Sequence, residues 1–113
     1  MVEIKAIIRV DRLEDVLHAI RGVAGTAGVT VSKVEGFGRE QPPRSESAGF
    51  GRVVMAKVET VVARETAPLV VRAIHAAAAT GRPGDGKIFV FPVESVVNIR
   101  NGADGEAGPQ TLP

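Results

Sequence analysis

Apolar and polar residues alternate through the opening VEIKAIIRV, with Val2, Ile4, Ala6, Ile8 and Val10 on one side and Glu3, Lys5 and Arg9 on the other. A repeat of two marks a strand with one buried face. The period then lengthens. In DRLEDVLHAIRGVAG, Leu13, Val16, Leu17, Ile20, Val23 and Ala24 recur at helical spacing, Asp11 and Glu14 stand at capping-box separation, and Gly25 offers a C-terminal stop. GVTVSKVEGFG is strand-like through Val29, Val31 and Val34, but a phase change near Lys33 leaves its buried face undecided. RVVMAKVETVV is clearer: Val54, Ala56, Val58, Thr60 and Val62 share one face, Met55, Lys57 and Glu59 the other. A second helix is expected from about Thr66, with Pro68 in its first turn, a stripe of Val70, Val71, Ile74, Ala77 and Ala78, and Gly81 at its end. The strand KIFVF, a break at Pro92 and a short run VVNIR follow.

The order β-α-β-β-α-β with a short extra C-terminal strand predicts an α+β, ferredoxin-like fold, an antiparallel sheet covered on one face by two helices. Residues 1–102 form the expected domain. The other sheet face has nothing in this chain to cover it, and packing sheet against sheet in an oligomer is the expected remedy. Two segments stand outside the core. Arg39 to Arg52 is polar, rich in Pro and Gly, and far longer than a hairpin connection needs. The tail, residues 103–113, has no periodicity and is expected to be mobile, or ordered only against a neighbouring subunit.

Composition removes several functions. A chain of 113 residues supports one core, and a net charge of +1, from 14 basic and 13 acidic side chains, gives no global attraction to nucleic acid or an anionic membrane. Any anion site must be local. There is no cysteine, and the two histidines, His18 and His75, are far apart in sequence, so neither a disulfide framework nor a metal site built from side chains is expected. The N-terminus lacks a signal-peptide shape and no stretch is long enough to span a bilayer, which makes a cytoplasmic protein, not membrane-embedded, the expectation.

The candidate chemistry lies in TGRPGDGKIFVF, Thr80 to Phe91, where Gly81, Gly86 and Lys87 have the spacing of a phosphate-binding P-loop. A P-loop needs a strand before its glycines, a helix after them and a hydroxyl residue after its lysine. Here a helix precedes, a strand follows and the next residue is Ile88. If this loop holds phosphate, consecutive small residues must turn their backbone N–H groups toward the anion as a nest, with Lys87 adding a point charge. Taken alone, a Gly-Asp-Gly turn between a helix and a strand is more often only a turn.

Together, GFGRE before a long loop, TGRPGDGKIFVFPV and VVNIRNG resemble the PII signal-transduction family, and EIKAIIR and LEDVLHAI also fit it. The resemblance implies a homotrimer that binds ATP or ADP, with magnesium able to accompany ATP, at clefts between subunits. It implies that residues 81–86 are the B-loop and that Gly84, Asp85, Gly86 and Lys87 cradle phosphate. Arg100 adds a guanidinium and Thr80 lies near the adenine. Gly36, Phe37, Gly38 and Arg39 flank the nucleotide, while Thr30 and Val61 match the adenine-pocket wall. Residues 39–52 correspond to the T-loop, which docks onto the cytoplasmic face of a transporter or onto a soluble enzyme in nitrogen or inorganic-carbon metabolism. A small anionic effector such as bicarbonate fits the carbon-related members.

Departures from the family pattern sharpen these expectations. Glu40 stands where the family has a glutamine that helps hold magnesium and 2-oxoglutarate, and Met55 where it has a carboxylate-binding lysine. Asn98 replaces the first arginine of the R-I-R pair, which implies a weaker hold on the distal phosphate and a shift toward ADP or AMP. The loop has no tyrosine to modify; Ser45 and Ser47 remain as hydroxyls. The expectation is a regulator with no catalytic residues. The alternative is a weak nucleotide-hydrolysing enzyme on the same fold using Glu40 and Asp85, and a structural or metal-binding trimer is a third reading.

Overall fold

The structure is a computed structural model, and it describes residues 1–37 and 52–104. Gly38, Arg39, Glu40, Ser45 and Ser47, the 39–52 loop apart from Arg52, and the tail beyond Asp104 lie outside the described residues. The elements are β1 (Val2–Arg9), a 3-10 turn (Val10–Arg12), α1 (Leu13–Arg21), β2 (Thr30–Phe37), β3 (Arg52–Val62), α2 (Ala67–Ala78) and β4 (Gly86–Pro92). The four strands form one antiparallel sheet in the order β2-β3-β1-β4. Each β-α-β passage skips a strand, which is how the ferredoxin-like fold gives an antiparallel sheet with both helices on one side.

Register explains the core. Val2, Ile4, Ala6 and Ile8 of β1 lie opposite Val62, Thr60, Val58 and Ala56 of β3. Paired residues share a face, so these eight form one continuous surface, and all eight are buried. Val16 and Ile20 of α1 and Val70 and Ile74 of α2 complete the cluster above it. The one polar member, Thr60, donates its hydroxyl to the Gly28 carbonyl at 3.0 Å, which meets the hydrogen-bonding demand that burial imposes. Burying Ile4, Ile8, Ile20 and Ile74 almost completely contributes on the order of 1.5–3 kcal/mol each.

Several local expectations are corrected. No side chain caps α1: a 3-10 turn precedes it, so Asp11 falls within that turn and the first helical residue is Leu13. The helix closes at Gly22 rather than Gly25, and α2 gives way to extended backbone at Ala79, two residues before Gly81. In β3 the alternation fails near the start, where Val54 is 39 % exposed and Met55 is buried. Met55 lies between Arg9 and Val34 on neighbouring strands, whereas the helices do not reach Val54. The undecided face of β2 has the same origin. It is an edge strand, with Val31 and Lys33 registered on the helix side, and none of its residues is fully buried. The short C-terminal strand takes its smallest form, a single bridge between Val97 and Asp104.

The sheet face away from the helices carries Lys5 of β1 beside Phe89 and Phe91 of β4, its ammonium 5.8 and 5.3 Å from the two ring centroids. These contacts let a cation lie against aromatic surface that is otherwise open. Replacing the fully buried Ile74 by alanine is expected to lower unfolding free energy by roughly 2–5 kcal/mol, read from urea unfolding curves.

Candidate functional site

Two strand ends and a loop meet at one end of the sheet. Ile8 of β1 pairs with Gly86 of β4, Arg9 with Met55 of β3, and Arg52 at the start of β3 with Phe37 at the end of β2. The segment joining α2 to β4 and both ends of the long 38–51 connection therefore emerge on the same side. Glu35 and Arg52 form an ion pair of 3.6 Å across the base of that connection.

The Thr80–Lys87 loop is built around one carboxylate. Asp85 accepts hydrogen bonds from the Thr80 N–H at 2.7 Å, the Gly81 N–H at 2.9 Å and the Thr80 hydroxyl. The Arg9 Nε donates to it at 2.9 Å. Arg9 also donates from Nη2 to the Pro83 carbonyl at 2.7 Å, and the Thr80 hydroxyl oxygen accepts from the Arg82 N–H at 3.2 Å. The Thr80 hydroxyl and the Arg9 guanidinium, with the two backbone N–H groups, hold the Asp85 carboxyl well below the usual carboxylate range, against a smaller opposing push from burial. The loop is closed on itself.

Glycine is required here for two different reasons. Gly81, Gly84 and Gly86 all have positive φ, at 80°, 92° and 99°. A Cβ at Gly86 would stand 1.7 Å from the Ile7 carbonyl oxygen, so the start of β4 can pair with β1 only without a side chain at this position. The P-loop-like spacing of Gly81, Gly86 and Lys87 thus has a structural cause in Gly86. The loop lies between α2 and β4, the reverse of a P-loop's surroundings.

Thr80, Gly84, Asp85, Gly86 and Lys87 come together in this one loop, with Lys87 exposed and registered opposite Ile7. The other candidates stand elsewhere. Gly36 and Phe37 share this end of the sheet but lie on β2, the opposite edge from β4, three strand spacings or about 14 Å away. Thr30 and Val61 lie toward the other end, opposite Glu59 and Glu3. Asn98 and Arg100 belong to a turn after β4, where the Asn98 N–H donates to the Ala103 carbonyl and its carbonyl accepts from the Gly102 N–H. The candidates thus occupy both edges of the sheet and the C-terminal turn. Two readings change at the level of the side chain. The Asp85 carboxylate is consumed inside the loop, which removes it as a free acid or base, and the Thr80 hydroxyl is turned onto Asp85. Arg9 was not among the candidates, although the β1–β4 pairing, extended one step past Ile8 and Gly86, places it opposite Asp85.

Among the described residues no group of three or more His, Asp or Glu side chains could hold a metal ion, and no helix is long and apolar enough to cross a membrane.

A βαββαβ sheet with a glycine-rich loop gathered on an aspartate at the start of β4 places the chain among the ferredoxin-like α+β proteins. The model of one family, nitrogen regulatory protein P-II, matches residues 1–103. Relatives bearing that name are 45 % identical over 109 residues in Rhizobium meliloti, covering 93 % of this chain and 96 % of the relative. In Azospirillum brasilense the identity is 42 % over 109 residues, with the same coverage. In Synechocystis sp. it is 42 % over 106 residues, covering 90 % and 94 %. The chain belongs to the P-II family, a family of signalling regulators rather than enzymes.

Two outcomes follow for the loop. Gly86→Ala is expected to destabilise the fold by about 2–4 kcal/mol in urea unfolding, because either the β1–β4 pairing or the backbone at Ile7 must move. For Asp85 the sign is set by its depressed folded-state value: its contribution is present above the unfolded pKa, about 4, and is lost as pH falls from there through the folded value. Wild type is therefore expected to be more stable than Asp85→Asn near neutrality, the difference closing as unfolding is measured at progressively more acid pH below about 4.

Proposed function

We propose that the chain is a trimeric PII-type sensor in the cytoplasm that binds adenine nucleotides, ATP or ADP, at clefts between subunits and regulates a transporter or enzyme through residues 39–52. The observation that carries this reading is the Thr80–Lys87 loop: glycines in left-handed conformation, an aspartate paired with Arg9 of β1 and bonded by the loop's own N–H groups, and an exposed lysine at the loop's exit. Such a loop can offer backbone N–H groups and an ammonium to a phosphate without a free carboxylate to repel it. The candidates' placement on both edges of the sheet and in the C-terminal turn fits a site completed by a second copy. So does the uncovered face around Phe89 and Phe91, which are 43 % and 37 % exposed.

In this reading Lys87 and Arg100 hold phosphate. Thr30, Val61 and the backbone at Thr80 border the adenine, while Gly36, Phe37, Gly38 and Arg39 flank the nucleotide. Asn98 leaves one distal-phosphate contact unmade. Glu40 and Met55 together turn the effector pocket against 2-oxoglutarate, since a dianion meets an added negative charge and loses an ion pair. Magnesium could use Glu40 as an oxygen ligand but would not replace the missing cation. Bicarbonate, a smaller anion, remains a candidate effector.

Titration calorimetry tests the binding steps. Lys87→Ala and Arg100→Ala are expected to weaken ADP binding by about 1.5–3 kcal/mol each, and unchanged affinity in both removes the site. ADP is expected to bind at least as tightly as ATP. With saturating magnesium-ATP, 2-oxoglutarate is expected to give no binding heat; Glu40→Gln with Met55→Lys should create it. Robust 2-oxoglutarate binding by the wild type would contradict the effector reading.

A further inference from the structure

We propose that Arg9 is the positioning residue of the nucleotide loop, holding the loop in the shape that phosphates meet and cancelling the one negative charge at its centre; this rests on the nucleotide-binding reading above. Arg9 is the last residue of β1 and its side chain is only 14 % exposed. Its guanidinium spans the loop, with Nε on the Asp85 carboxylate and Nη2 on the Pro83 carbonyl. A Cβ at Gly84 would stand 3.4 Å from Arg9 Nη2, so the loop backbone lies directly against the guanidinium. Two donors on one rigid plane fix both the loop's aspartate and its proline carbonyl relative to the sheet.

The charge has a separate consequence. An unneutralised carboxylate at the centre of a phosphate-binding loop would oppose each added phosphate, and the opposition would grow with the ligand's charge. With Arg9 removed, Thr80 and Gly81 still hold Asp85 by hydrogen bonds and the exposed Arg82 still donates to the Thr80 hydroxyl at 3.5 Å, but the guanidinium bonded directly to the carboxylate is gone. Loss of Arg9 should therefore penalise ATP more than ADP. A purely structural role for Arg9 predicts equal penalties. Substitution by lysine separates charge from geometry, because an ammonium keeps the charge but cannot reach both acceptors with the fork of a guanidinium.

The test is nucleotide titration calorimetry on wild type, Arg9→Ala, Arg9→Lys, Asp85→Asn and the Arg9→Ala, Asp85→Asn double variant, with amide hydrogen exchange over residues 80–87 in the ligand-free proteins. Arg9→Ala is expected to weaken ADP binding about tenfold and ATP binding by a larger factor, and to speed exchange in the loop. Arg9→Lys is expected to recover the ATP-over-ADP part of the loss and to leave loop exchange raised. The double variant should bind ATP better than Arg9→Ala alone, since the uncompensated charge is gone. Wild-type affinity in Arg9→Ala, equal penalties for ATP and ADP, or a double variant no better than Arg9→Ala would each overturn the proposal. A wild type that binds neither nucleotide would overturn the functional reading instead. In that event, unchanged loop exchange in Arg9→Ala would overturn the positioning role independently.

Discussion

The Asp85 carboxylate ties the segment between α2 and β4 to the end of β1. It gathers the Thr80 and Gly81 N–H groups after α2, the Thr80 hydroxyl and the guanidinium at the end of β1. Without it, the segment from Ala79 to Gly86 would hang between a helix and a strand with few partners of its own. With it, the loop is fastened to the sheet at the strand, β1, that lies between β3 and β4. Gly86 makes that fastening geometrically available, since only a residue without a Cβ lets β4 begin beside Ile7.

Everything offered to a ligand depends on this arrangement. An inward-facing carboxylate leaves the exposed surface of the loop to backbone, Arg82, Pro83 and Lys87, a surface with cations and no free carboxylate, which is the polarity a phosphate requires. The same inward bonding removes Asp85 from general acid–base work, so the physical case for hydrolysis on this fold loses one of the two carboxylates on which it rested. The chain's place among nitrogen regulatory relatives agrees with that chemistry. The Thr80–Lys87 loop, at the start of β4, and the ends of the 38–51 connection, on β2 and β3, emerge at the same end of the sheet but on different strands.

Much of this was legible in the sequence. The alternation of Val2, Ile4, Ala6 and Ile8 reported the buried face of β1 correctly because the strand lies inside the sheet and one side is fully covered. The same reasoning gave an ambiguous answer for β2, an edge strand whose helix side is only half covered, and misplaced Val54 and Met55, where the helices end before the strand does. The start of α1 slipped because a 3-10 turn at Val10–Arg12 precedes the helix with no side-chain cap. In the candidate site, the glycines and Lys87 announced the loop, but Arg9 did not announce itself. Its role depends on the register of β1 against β4, a non-local pairing between residues 76 positions apart. Asp85 was visible as a residue and opaque as to direction, because nothing in GDG says whether the carboxylate turns inward or outward.

The most direct measurement is the change in backbone amide chemical shifts of isotope-labelled protein on adding ADP. The account predicts saturable shifts concentrated in residues 80–87, with Gly84, Gly86 and Lys87 among the largest and the exposed residues of α1 unmoved. Shifts that saturate elsewhere while residues 80–87 stay in place would contradict it.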